Sequence, residues 1–254
     1  MKIGIIGFGY VGTAIYESFK DVVDTKIFDL YKKDISVDSL QELTDERILF
    51  LCLPTPMKKT GECDISIVDS TLKQLNNFQS QQKIRTIIKS TIPPGTTEKF
   101  IKKYKNLNIT FSPEFLTEVN FIEDFKNQNR IIIGTIDSKN FEILKFLFRI
   151  VFPKIKIIHT SPTTAEMVKY TANVFLATKV SFANEINMIC KKLNVEYDEV
   201  VNIARLDNRL GDSHWQVPGP DGKLGFGGSC FPKDVNALIY FCKINDIPIK
   251  TIVS

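Results

Sequence analysis

The chain has 254 residues, of which 43% are hydrophobic and 24% charged, with a formal net charge of +4. This composition suits a globular protein with a sizeable core, in one large or two modest domains, and excludes fibrous and low-complexity classes. The weak, scattered positive charge argues against electrostatic nucleic-acid binding, and no apolar run is long enough to span a membrane.

Five cysteines (Cys52, Cys63, Cys190, Cys230, Cys242) are odd in number and contain no C-x-x-C pair. They support neither a disulfide framework nor a metal site, so a reducing cytoplasm is the expected location. Met1 leads directly into an apolar run with no signal-peptide pattern.

Lys2 to Ile6 reads as a buried parallel strand. Gly7, Gly9 and Gly12 follow at once as G-x-G-x-x-G, with Tyr10 and Val11 between them, and a helical pattern then runs through Ala14, Ile15 and Phe19. A second strand, Lys26 to Phe28, ends at Asp29, about twenty residues beyond the glycines. Strand, glycine turn, helix and distal acid predict a dinucleotide site, with the pyrophosphate at the helix N-terminus. Asp29 would accept hydrogen bonds from the adenosine ribose and repel a 2′-phosphate, which favours NAD over NADP. The alternative is a glycine turn that serves packing only.

The alternation continues with expected strands at 48–53, 86–89, 109–111, 131–133 and 156–159, and helices at 65–75, 96–104 and 140–151. This predicts a doubly wound, Rossmann-like, mostly parallel α/β sheet. Pro54-Thr55-Pro56, Ser90-Thr91 and Ser112-Pro113-Glu114 all fall after strand ends, where ligands gather in such sheets. If Pro113 opens a helical turn, Glu114 and Glu118 share a face and are candidates for general base and proton shuttle. Plain surface solvation is the competing reading of that pair.

From 164 to 193 there is neither Gly nor Pro, which predicts one helix roughly 45 Å long. Its apolar residues cover more than one stripe, so burial against a second copy with two-fold symmetry is expected. Lys169 and Asn173 lie one turn apart on it and suit a developing oxyanion, or else simply meet solvent. A short helix is expected at 197–205, followed by a long Gly- and Pro-rich stretch, 206–228. His159, His214 and Trp215 belong to no defensible constellation.

Gly225, Gly227 and Gly228 bend the chain before Cys230, and Pro232 suits a first helical turn. Cys230 is thereby placed at a helix N-terminus, which favours a thiolate, with Asp234 four residues on along the same face and Lys233 beside it. Covalent catalysis is the functional reading; a structural cysteine beside a glycine loop is the plain one.

In order and spacing, these motifs resemble the UDP-glucose/GDP-mannose dehydrogenase family. They are Gly7-Phe-Gly9-Tyr-Val-Gly12, Leu53-Pro-Thr-Pro56, Ser90-Thr-Ile-Pro-Pro-Gly95, Ser112-Pro-Glu-Phe-Leu-Thr-Glu118, Asn129-Arg-Ile-Ile-Ile-Gly134, Ala165-Glu-Met-Val-Lys169-Tyr-Thr-Ala-Asn173, Asp207-Asn-Arg209 and the stretch 225–234. Phe231 resembles the UDP-glucose branch more than the GDP-mannose branch.

The resemblance implies two successive NAD-dependent oxidations of a nucleotide sugar's C6 alcohol to the acid, most simply UDP-glucose to UDP-glucuronate, for polysaccharide synthesis. It implies Cys230 as nucleophile, with Lys169 and Asn173 as oxyanion stabilisers. Asp234 and Thr91 would hold a water, and Glu114 with Glu118 would act in hydrolysis. By the same resemblance Pro54, Thr55, Ser90 and Thr91 contact the cofactor, while Phe115, Leu116, Lys169, Phe226 and Gly227 contact the sugar nucleotide. Arg209 would reach the sugar of a neighbouring subunit, which requires a homodimer.

The implied organisation is an NAD-binding domain, 1–161, and a helical central domain, 162–254. The segment between Asp29 and Ile48 is shorter than most relatives carry. The sequence ends about twenty residues after Asp234, whereas relatives continue into a domain that grips the nucleotide. Three outcomes follow as expectations: an enzyme of weak activity, one completed by a separate chain, or a non-catalytic dimeric NAD-binding module.

Overall fold

In the computed structural model, which describes residues 1–78, 82–250 and 252, the chain divides into two compact units. The first comprises Met1–Pro56 and Cys63–Lys169; the second comprises Met57–Glu62 and Tyr170–Ser254.

The first unit is built on seven strands: β1 (Lys2–Ile6), β2 (Asp24–Phe28), β3 (Ile48–Leu51), β4 (Ile84–Ile88), β5 (Leu107–Phe111), β6 (Arg130–Gly134) and β7 (Lys156–Thr160). They form one sheet in the order β2-β1-β3-β4-β5-β6-β7. Every pairing is parallel except β5 with β6, which meet antiparallel at Phe111 and Gly134. The direction of winding reverses between β1 and β3, the switch point at which open sheets of this kind hold ligands beyond their carboxyl ends.

Alternation along the central strands supplies two cores. Ile3, Ile5, Ile48 and Phe50 face one side, against α1 (Tyr10–Phe19), α4 (Phe121–Lys126) and α5 (Ser138–Val151). Ile6, Leu49, Leu51 and Ile88 face the other, against α2 (Ser66–Asn77), α3 (Thr96–Lys103) and Ala165 in the first turn of α6 (Pro162–Leu193). Phe19, Phe50 and Phe148 meet with ring centroids 6.1 Å apart. Full burial of each such ring contributes about 1.5–3 kcal/mol.

The expected elements are present, with ends displaced by a few residues. β3 stops at Leu51 rather than 53 because the Leu53 amide donates to Ser90 Oγ at 2.9 Å instead of continuing the ladder. The long helix begins at Pro162, a first-turn position that needs no backbone donor. Glu114 and Glu118 do not share a helical face, contrary to expectation. Residues 113–117 are irregular, and α4 starts only at Phe121. The Asp124 carboxylate draws the chain back by accepting from Thr117 N at 2.8 Å and Thr117 Oγ1 at 2.5 Å.

The second unit holds α6 from Tyr170 onward, α7 (Tyr197–Ala204) and α8 (Cys230–Ile244). Its small core joins Ala183, Cys190, Tyr197, Val201 and Trp215. Trp215 ties down the long polar stretch: its indole donates to Gly211 O at 2.9 Å, and its own carbonyl accepts from Tyr197 Oη at 2.5 Å. Lys179 Nζ sits 4.7 Å from its ring. Sequence alone left this residue without a role.

Candidate functional site

At the end of β1 the backbone turns sharply at Gly7, whose φ of +90° excludes most side chains. A Cβ on Gly12 would lie 2.1 Å from Gly7 O, so helix α1 can approach this turn only with glycine there. Gly9 is different: a Cβ there meets nothing within 4 Å, which leaves open space over the start of α1. That helix has no side-chain cap, so its first amides point into the space unpartnered by any capping group. A glycine turn with an open approach to helix amides fits a pyrophosphate.

Asp29, just beyond β2, accepts from Phe8 N at 2.7 Å, Tyr31 N at 2.8 Å and Lys32 N at 3.2 Å. Partial burial pushes its carboxyl up, but these amides and the Lys32 charge outweigh it and hold the group below the usual carboxylate range. Asp29 is therefore ionised, with one of its roughly four acceptor positions left for a ribose hydroxyl. These residues fit the adenosine half of NAD.

Next along the switch point, the turns after β3 and β4 are zipped together. Ser90 Oγ donates to Leu53 O at 2.7 Å, and Thr55 Oγ1 donates to Thr91 O at 2.8 Å. The turn after β4 is also fixed from α6. Glu166, fully buried, accepts from Gly95 N at 2.5 Å, Thr97 N at 2.8 Å and Thr97 Oγ1 at 2.6 Å. It thus caps α3 from a distant helix. Burial pushes its carboxyl up to about 7, against these three donors.

One turn further along α6, Lys169 Nζ donates to Glu114 O at 2.5 Å. The Glu114 carboxylate ion-pairs with Lys89, which also donates to Ser112 Oγ at 3.0 Å. Burial raises the Glu114 carboxyl, while Lys89 first and Lys169 second pull it down; the net direction is upward. Phe115 lies between two cations, with Arg130 4.6 Å and Lys169 5.3 Å from its ring. Leu116 packs with the core on the α1 side, whereas Glu118 is exposed.

In the second unit, Cys230 is the first residue of α8 and is exposed, with Ser229 Oγ 3.7 Å from its sulfur. One turn on, Asp234 is 1% exposed and accepts from Asn173 Nδ2 and Lys233 Nζ, each at 2.6 Å. The glycine stretch before the cysteine is anchored where Gly225 N donates to Asn184 Oδ1 at 3.1 Å. Phe226 is half-buried and Gly227 exposed. Arg209 is exposed, its guanidinium held by Asp207.

Lys169 is thus bonded to Glu114, Thr91 to Thr55, and Asn173 to Asp234, while Cys230 stands one helical turn before Asp234. Lys89, Glu166 and Asn184 were missed from sequence. Lys89 gave little signal, since charges at Lys83 and Arg85 already flank and interrupt the same strand. Glu166 and Asn184 had none, since a polar residue in a helix is ordinary.

Comparison with known proteins places the chain in a family. Residues 15–152 match the NAD binding domain, and residues 163–254 the central domain, of the UDP-glucose/GDP-mannose dehydrogenase family. The chain is 32% identical over 289 residues to a UDP-glucose 6-dehydrogenase of Bacillus subtilis (strain 168), covering 99% of this chain and 61% of that one. It is 33% identical to a UDP-glucose 6-dehydrogenase of Rickettsia bellii (strain RML369-C), covering 93% of this chain and 54% of the relative. The solved structure of a UDP-glucose dehydrogenase from Pyrobaculum islandicum superposes with a TM-score of 0.86 at 27% identity, over 99% of this chain and 66% of that one.

A glycine turn, an ionised acid after β2 and a parallel sheet with its switch point at β1 and β3 define an NAD-binding protein of the Rossmann type. The chain belongs to the UDP-glucose/GDP-mannose dehydrogenase family, and it spans 61% and 54% of the length of these two relatives.

Proposed function

We propose that this chain oxidises the C6 alcohol of a nucleotide sugar, UDP-glucose in the first instance, to the acid. The observation that carries this is Cys230: an exposed thiol opening α8, with the buried Asp234 one turn behind it, held by Asn173.

Gly7, Gly9, Gly12 and Asp29 would hold NAD⁺, with Pro54, Thr55, Ser90 and Thr91 also contacting it, and when bound it would supply the hydride acceptor for each of the two oxidations. Phe115, Leu116, Phe226 and Gly227 line the substrate, and Arg209 reaches a neighbouring subunit's sugar.

The alcohol first gives up hydride and proton to become an aldehyde. An aldehyde has no further hydride to lose in a form that leads to acid until a nucleophile adds. The Cys230 sulfur therefore attacks the carbonyl carbon, forming a thiohemiacetal whose oxygen takes the negative charge. Lys169 and Asn173, one helical turn apart, are the donors assigned to that oxygen. Loss of the second hydride leaves a thioester on Cys230. Water then adds to the thioester and the C–S bond breaks, regenerating the thiol. Thr91 and Asp234 hold that water, Glu114 takes its proton, and Glu118 passes protons to solvent.

The test is stoichiometric. With NAD⁺ and UDP-glucose the chain should yield two NADH per sugar, and Cys230→Ala should keep NAD⁺ affinity while forming no acid. Normal acid production by that variant would remove the cysteine from the mechanism. Running GDP-mannose in parallel assigns the sugar.

A further inference from the structure

The proposed steps leave one buried cation without a task. Lys89 follows the last residue of β4, is 4% exposed, and spends its ammonium on the Glu114 carboxylate and on Ser112 Oγ. The Phe148 ring lies 5.9 Å from its Nζ. An ammonium in such surroundings is costly unless paired, and an apolar side chain would fill the same space at no such cost. The lysine is therefore explained by what it does to Glu114.

The groups facing Glu114 can be named from each element around it. Lys89 comes from the end of β4 and Ser112 from the turn after β5. Lys169 comes from α6 and donates to the Glu114 main-chain oxygen. Cys52 comes from the end of β3, and burial foremost keeps its thiol protonated. Lys89 is paired directly with the carboxylate.

We propose that Lys89 is the positioning residue for Glu114, holding its carboxylate in the one orientation from which it can take a proton from water. This rests on the acid/base role given to Glu114 above. Without Lys89, burial acts on Glu114 opposed only by the charge of Lys169, and its carboxyl is pushed further up.

The experiment uses the whole chain carrying 13C-labelled glutamate carboxyls, with Glu114→Gln assigning the signal. Lys89→Met should raise the titration midpoint of Glu114 by about one to three pH units. Lys89→Arg, which keeps the charge, should move it by less, and NAD⁺ affinity should be unchanged in both. The ascending limb of the pH profile for acid formation should move with the midpoint, a shift that a merely structural ion pair does not produce. An unmoved midpoint in Lys89→Met overturns the proposal. If Lys89→Met does not fold, Lys89→Met with Glu114→Gln, which removes both charges, should restore folding, and failure to do so overturns the pairing. A midpoint that moves while Glu114→Gln still makes acid at the normal rate instead removes the acid/base role, and the proposal falls with it for a distinguishable reason.

Discussion

Asp29 shows how much one side chain can carry at the cofactor end. Its two oxygens already accept three backbone amides, and Asp29→Asn would turn one of them into an NH₂ facing those donors. We expect this variant to bind NAD⁺ about tenfold more weakly, as befits loss of a charge-assisted hydrogen bond. Calorimetric titration measures it, and an unchanged Kd would place the ribose elsewhere.

Glu166 offers a second test at this scale. Its folded value of about 7 lies above the ordinary 4.5, so the folded state holds the extra proton between those two pH values. Its contribution to stability is therefore complete at low pH and lost as pH rises through about 7. The Tm of the native chain minus that of Glu166→Gln should fall by on the order of 5 °C between pH 5 and pH 8. A gap that stays constant with pH would show that Glu166 does not titrate in this range.

Among the elements, those with a local cause were legible. The turn at Gly7 to Gly12 follows from glycine spacing, and the length of α6 from a run without helix breakers. What depended on distant partners was not. Glu114 and Glu118 suggested a helical pair, but Asp124, six residues past Glu118, decided otherwise by bonding Thr117. The single antiparallel pairing of β6 is equally invisible, because Ile131 to Ile133 reads the same in either strand direction. Lys89 was not legible as a partner of a carboxylate twenty-five positions away on another strand's exit.

At the scale of the molecule, the sequence led us to expect a second copy along α6. In the second unit Phe175, Phe182 and Ile189 are 66%, 50% and 53% exposed and spaced seven residues apart. Seven residues fall within about 20° of two full turns, so the three form one apolar line along the helix. No helix among the described residues is long and apolar enough to cross a membrane. The homodimer proposed from the sequence would cover this line. Phe175→Asp with Phe182→Asp should convert it to monomer by light scattering, and a mass unchanged by those substitutions would count against that face.

Lys89, Ser112 and Lys169, the partners described around Glu114, all precede Tyr170. The pull of Lys89 on that carboxyl is thus inherited with the dinucleotide half of the gene. Chimeras that splice this half to the nucleophile-bearing half of another family member should exchange the thiol without retuning the base, so reactivity and sugar preference become separable for an engineer.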